Sequence, residues 1–152
     1  MDTQTPSPRQ SARRRILVID DDEGVRATLA IFFEDIGVDA VLAQDGNQGL
    51  SLFDAGSVDL VMTDICMPGK NGGEIVAEIR RRNRTIPIIV MSGSSRASGG
   101  ELLRAAMEKG ANCVIDKPFD FDSLGVALEA FLETPSGASD RGLAMPNSGQ
   151  GR

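Results

Sequence analysis

Five times along this chain a short aliphatic run is followed by a stretch in which apolar residues recur at helical spacing, and that alternation leaves few folds open. The strand-like runs are "RILVID", "VDAVLA", "VDLVMTD", "IPIIVMS" and "NCVI". The helical stretches carry Val25, Leu29, Phe32, Phe33 and Ile36, then Leu50 and Phe53, then Ile75, Val76 and Ile79. Two more follow, with Leu102, Leu103, Ala106 and Met107, and with Leu124, Leu128, Phe131 and Leu132. Parallel strands need a long crossover between them, and a helix is the usual one, so repeated strand–helix units build a parallel sheet. The chain reads as an α/β protein with a doubly wound, five-stranded parallel sheet. The first, third and fourth runs are almost continuously aliphatic, as strands covered on both faces are, whereas the second alternates and belongs at an edge.

At 152 residues the chain has room for one ordinary domain. Residues 1–14, beginning "MDTQTPSPRQSA", and residues 134–152 are rich in Ser, Pro, Gly and Gln and poor in aliphatics, so neither offsets its ordering entropy. Both are expected to be disordered tails, the first of them basic, around a domain at 15–133. The formal charge is -6; residues 1–15 hold one acid and four Arg (+3) and residues 134–152 one acid and two Arg (+1), so 16–133 carries -10. Such a body repels phosphate backbones, and nucleic acid is not an expected partner. No apolar run approaches the ~20 residues of a membrane span, and the N-terminus has no signal-peptide core, so a cytoplasmic protein without a membrane partner is expected. Cys66 and Cys113 match no metal-ligand spacing and read as free thiols. The absence of His excludes a histidine phosphotransferase, a Ser-His-Asp hydrolase and a His-ligated metal centre.

In doubly wound sheets reactive groups collect beyond the carboxyl ends of the strands. The first strand ends at Asp20 and Asp21, the third at Asp64, the fourth at Ser92, and the fifth just before Lys117. Each alone has an ordinary explanation: a helix N-cap for an Asp, a turn for Ser92, a solvated loop charge for Lys117. Together they bring carboxylates, a hydroxyl and an ammonium to one crevice. Crowded carboxylates repel each other unless a cation joins them, and Mg²⁺ is commonly held by one or two carboxylates plus substrate oxygens.

"VIDDDEGVR", "DLVMTDICMPGKNG", "VMSGS" and "VIDKPF" resemble, in order and spacing, the receiver domain of two-component response regulators, over about residues 15–133. The nearest likeness is to stand-alone, CheY-like regulators. The resemblance implies a flavodoxin-like strand order 2-1-3-4-5, and a phosphoacceptor rather than an enzyme. It implies that Asp64 accepts a phosphoryl group, that Lys117 pairs with a phosphoryl oxygen and that Ser92 donates to another. Mg²⁺ is then expected on Asp21 directly, on Asp20 directly or through water, on Asp64, and on the backbone carbonyl of Cys66. Asp22, one position past the matching pair, is left as a loop residue or helix cap. Having no His, the chain needs a donor, either a sensor histidine kinase or a histidine phosphotransfer protein, and it is expected to signal by contact with a downstream protein. In this family the Lys-Pro peptide of "KPF" is commonly cis.

Two features depart from the family pattern. Val114 stands where an aromatic ring is usual, and a β-branched aliphatic cannot make the same swing. "SGSSRASGGELL" is long and glycine-bearing, which predicts a loop to about Gly100 and a short helix from about Glu101. Ser94 in that stretch, with Cys66, is expected to border the approach of water to Asp64. The Arg80, Arg81, Arg82 and Arg84 cluster reads as a solvated helix terminus, Arg13–Arg15 as flanking charge, and "MPGKNGGE" as a turn without a phosphate-binding role. Two other classes share parts of this pattern. A Mg²⁺-dependent phosphatase or phosphotransferase of haloacid-dehalogenase type needs an acid two residues after its nucleophile, where this chain has Cys66. A non-phosphorylated interaction module would have no use for the acidic site.

Overall fold

The computed structural model describes residues 13–93 and 96–132. Most of both expected tails, and Ser94, lie outside these residues. The elements in chain order are β1 (Arg15–Ile19), α1 (Glu23–Asp35), β2 (Asp39–Ala43), α2 (Gly46–Ala55) and β3 (Leu60–Asp64). They continue with α3 (Gly72–Arg82), β4 (Ile88–Ser92), α4 (Arg96–Lys109), β5 (Cys113–Asp116) and α5 (Phe121–Leu132). All strand pairs are parallel and the sheet order is β2-β1-β3-β4-β5. The chain divides into two compact units, the first ending at Pro118 and the second beginning at Phe119.

Burial follows the pattern expected of the runs. Every residue of β3 and β4 is buried, as are Ile16 to Ile19 of β1, whereas β2 and β5 are mostly half-exposed. β2 is an edge strand, as its alternation predicts, and the aliphatic runs sit at the centre. Successive side chains of a strand point to opposite faces, so continuous aliphatic runs can be this dry only with both faces covered. One core cluster joins Leu17, Ile19, Val61, Ile88 and Val90 of the sheet to Leu50 of α2, Ile75, Val76 and Ile79 of α3, and Ala106 of α4. In the second unit, Leu124 and Leu128 of α5 are buried.

The helices start where short polar side chains replace missing helical partners. The Asp22 side chain accepts from the Gly24 and Val25 N–H groups, Asp45 accepts from Gln48 N–H, and Asn71 and Glu74 form a reciprocal capping box. Asp22 is thus the cap of α1. The expected short fourth helix is corrected: α4 starts at Arg96 and runs for 14 residues, through Gly99 and Gly100. Two glycines cost a helix about 1 kcal/mol each, but packing of Leu102 and Leu103 against the core outweighs that local preference. Val114 is half-buried on β5 in register with Val90, and the Lys117–Pro118 peptide is cis.

The arginine cluster is less uniform than its reading as a solvated terminus. Arg80 is half-buried: its Nε and Nη2 donate to the Gly110 carbonyl at 3.0 and 2.9 Å, and Nη2 also to Asn112 Oδ1 at 3.0 Å. Asn112 Oδ1 accepts the Ile88 N–H as well, at 2.7 Å, so one guanidinium braces the end of α3 to the α4–β5 turn and the start of β4. Gly110 is required there twice over, because its φ is 119° and a Cβ would lie 2.8 Å from Arg80 Nε. Arg81 and Arg82 pair with Glu78 on the surface, and Arg13 and Arg14 pair with Asp39 and Asp59, as flanking charges do.

Arg80→Ala strands the Gly110 carbonyl and is expected to cost about 2 kcal/mol, whereas Arg81→Ala should stay within about 0.5 kcal/mol. Urea midpoints of the two variants check this; equal midpoints would contradict the brace.

Candidate functional site

Three strands deliver charge to one end of the sheet. Asp20 follows β1 directly and is fully buried, Asp64 ends β3 and is 6 % exposed, and Lys117 follows β5. Lys117 Nζ lies 2.8 Å from Asp20 Oδ2 and 3.2 Å from Asp64 Oδ1. Asp21 is exposed beside them, and carboxylate oxygens of Asp20, Asp21 and Asp64 all lie within 4.8 Å of one another. Parallel pairing explains the convergence: β1, β3, β4 and β5 all run the same way, so their carboxyl ends share one rim. Ser92 belongs to that rim too, one position past Met91, the register partner of Asp64. It is buried, its Oγ donates to the Gly93 carbonyl at 3.3 Å, and its own carbonyl accepts the Lys117 N–H at 2.8 Å. Cys66 is exposed in the loop after β3.

The electrostatics are those of an anion-rich site with one internal cation. Burial first, and then the neighbouring Asp20 charge, push the Asp64 carboxyl from 3.8 up to about 6; Lys117 pulls it back and Asp21 raises it further. Burial alone would lower the Lys117 ammonium, but its hydrogen bond to Asp20 and the charges of Asp64 and Asp20 raise it above the ordinary lysine value. Lys117 is therefore held charged. A second cation is favoured by the excess of acid, and the donor set of hard carboxylate oxygens, one of them open to solvent, fits Mg²⁺.

Two residues outside the sequence-predicted set shape this rim. A Cβ on Gly72 would lie 2.6 Å from the Asp64 carbonyl oxygen and 2.8 Å from Ile65 Cα, so only glycine lets α3 start against the peptide after the nucleophile candidate. Its N–H donates to the Ile65 carbonyl at 2.9 Å. The turn "MPGKNGGE" thus positions Asp64. Arg26, in the first turns of α1, donates from Nη1 to the Asp20 carbonyl at 2.7 Å. A cation near a helix N-terminus opposes the helix dipole, and that misplaced charge is the signal in the sequence that could have marked it.

The model of the response regulator receiver domain family matches residues 16–129. Response regulator MprA of Mycolicibacterium vanbaalenii is 34% identical over 86% of this chain and 56% of its own length. Transcriptional regulatory protein CpxR of Klebsiella pneumoniae is 36% identical over 78% of this chain and 49% of its own. The chain spans about half the length of these curated relatives. Among solved structures, the signal receiver domain of an HD domain-containing protein from Pseudomonas fluorescens Pf-5 superposes with a TM-score of 0.74 at 26% identity, covering 80% of this chain and 95% of that one.

Because the Asp64 carboxyl sits above its ordinary value, the folded protein keeps a proton that the unfolded chain has already released. The corresponding contribution to stability is greatest below about pH 4 and is lost as pH rises through about 6. Asp64→Asn is therefore expected to raise metal-free stability by roughly 1–2 kcal/mol at about pH 7.5, with the gain fading towards about pH 4. Urea denaturation with a chelator at both pH values checks this. A variant no more stable at the higher pH would mean that the Lys117 attraction outweighs burial.

Proposed function

The chain belongs to the response regulator receiver family, and from that membership we propose that it accepts a phosphoryl group on Asp64 and passes the signal on by protein contact. The observation that carries this reading is the buried Asp64 carboxylate, 3.2 Å from Lys117 Nζ and clustered with the carboxylates of Asp20 and Asp21. In the proposed step an Asp64 oxygen attacks phosphorus, the O–P bond forms, and the bond to the donor breaks with its electron pair leaving on the donor atom. A phosphorylated histidine of a sensor kinase or of a phosphotransfer protein is the proposed donor, since this chain has no His.

Mg²⁺, held by Asp21, Asp64, Asp20 and the Cys66 carbonyl, would supply positive charge to the peripheral oxygens of the transferred group. The protein's own groups do the rest. Lys117 needs only to exchange its contact with the Asp64 oxygen for one with a phosphoryl oxygen, remaining tied to Asp20. Ser92 rotates its hydroxyl from the Gly93 carbonyl to donate to another. The Asp64 carboxyl, raised in the metal-free site, must be ionised to react, and a dication beside it would favour that form.

Incubation with Mg²⁺ and a small acyl phosphate is expected to add one phosphoryl group by intact mass, and Asp64→Asn to abolish it. Equal labelling of that variant at the same alkali-labile level would sink the assignment.

The lifetime of the acyl phosphate depends on a water in line with the bond to Asp64. Cys66, exposed two positions beyond Asp64, carries no carboxamide to orient one. Cys66→Asn is expected to speed loss of the phosphoryl group about two- to tenfold, since orientation of the water is worth more than its mere entry. Decay rates of the two phosphorylated proteins decide it; an unchanged or slower rate would assign control of the water elsewhere.

A further inference from the structure

Between the end of β1 and the start of α1 lie only Asp20, Asp21 and Asp22, and the bonds of this loop leave one carboxylate unclaimed. Asp20 N–H donates to the Ala43 carbonyl at 3.1 Å. Asp20 Oδ1 accepts the Asp22 N–H at 2.9 Å and Oδ2 accepts Lys117 Nζ at 2.8 Å. Asp22 Oδ1 caps α1 through Gly24 and Val25 N–H at 2.8 and 3.2 Å, and its carbonyl accepts the Arg26 N–H at 3.1 Å. The Asp21 carboxylate has no hydrogen-bond donor among the described residues. One further atom decides where that carboxylate stands: the Asp20 carbonyl oxygen, which belongs to the peptide joining Asp20 to Asp21. It accepts Arg26 Nη1 at 2.7 Å, the shortest bond of the set.

We propose that Arg26 is a positioning residue for the divalent-cation site: its guanidinium clamps the Asp20–Asp21 peptide and thereby holds the free Asp21 carboxylate beside Asp64. The proposal rests on reading the acidic cluster as a Mg²⁺ site. Two effects of Arg26 oppose each other there. Its positive charge, near three carboxylates, weakens binding of a dication. Its hydrogen bond restricts the peptide, so a free carboxylate is presented without an ordering cost when the cation arrives. The charge is partly exposed and screened at ordinary salt, over about 10 Å. Groups that orient metal ligands from behind are worth about 10- to 100-fold in metal affinity. The clamp therefore dominates.

The same site explains an otherwise unfavourable choice. A residue selected for helix stability alone would be acidic or neutral so near the N-terminus of α1. Arginine stands there because its long side chain reaches back over the turn to a carbonyl that the helix does not otherwise satisfy.

The opposed signs make the test decisive. Arg26→Met keeps the apolar stem but has no donor, and Arg26→Lys keeps the charge and one donor. In calorimetric titration of the full chain with Mg²⁺ alone, Arg26→Met is expected to bind about tenfold more weakly, and Arg26→Lys to recover most of the loss. The Asp21 and Asp22 amide resonances of Arg26→Met should already be displaced before metal is added. Binding by Arg26→Met as tight as, or tighter than, that of the unaltered protein would overturn the clamp and leave only the charge. Should Arg26→Met fail to fold by circular dichroism, Arg26→Leu, which also has no donor, replaces it under the same criterion. Because no phosphoryl donor is present, the two readings separate. A protein that binds Mg²⁺ with this pattern but takes no phosphoryl group from an acyl phosphate refutes the phosphoacceptor reading and keeps the clamp. A protein that is labelled normally while Arg26→Met binds Mg²⁺ unchanged refutes the clamp alone.

Discussion

Lys117 Nζ, 2.8 Å from Asp20 and 3.2 Å from Asp64, is the contact on which the site end of the sheet depends. Asp20 has no exposed surface, and a buried carboxylate without a partner is among the costliest groups a fold can hold. The ammonium makes that burial tolerable, and in doing so ties the end of β5 to the ends of β1 and β3. One cation cannot neutralise three acids. Burial, and after it the charge of Asp20, raises the Asp64 carboxyl to about 6, and the excess of acid leaves the rim short of a second positive charge. A cation that binds only the folded state would add its binding free energy to stability, so the same shortage that destabilises the empty rim favours metal.

Around this contact the backbone leaves little freedom. Gly72 brings the start of α3 to within van der Waals reach of the Asp64–Ile65 peptide, and its N–H bonds the Ile65 carbonyl. On the other side Asp20 is bonded through its N–H, its carbonyl and both carboxylate oxygens. The nucleophile candidate and the buried acid are thus held by opposite means, close approach for one and saturation of polar atoms for the other. Asp21 and Ser92 keep the freedom to change partners, Asp21 by having no hydrogen-bond donor among the described residues and Ser92 through a rotatable hydroxyl on a 3.3 Å bond. At the far end of the sheet Arg80 performs a comparable service for the α4–β5 turn, with no role in the chemistry.

Much of the arrangement was legible in the chain because its causes are local. Apolar period separates strands from helices, and alternation in "VDAVLA" marks an edge strand, which β2 is. The short polar residue before a helix marks its start, as Asp22 does for α1. α4 escaped the same logic: its glycines argue for a loop, and the packing of Leu102 and Leu103 that overrides them is not local. Arg80 escaped too, since an arginine ending a helix looks the same whether its fork meets water or the Gly110 carbonyl.

The sequence by itself determined the five strand–helix units, their central and edge character, and the choice of Asp20, Asp21, Asp64, Ser92 and Lys117 as groups that end strands. These follow from spacing of a few residues, where the physics is that of backbone period and end-group satisfaction. Only the tertiary structure decided which acid Lys117 binds more closely, that Asp21 has no hydrogen-bond donor among the described residues, that Arg26 bonds the peptide before it, and that Gly72 must lack a side chain. Those outcomes depend on distances between segments far apart in the chain, or on the path of a turn in three dimensions, and sub-ångström differences in approach decide which polar atoms are paired and which remain free.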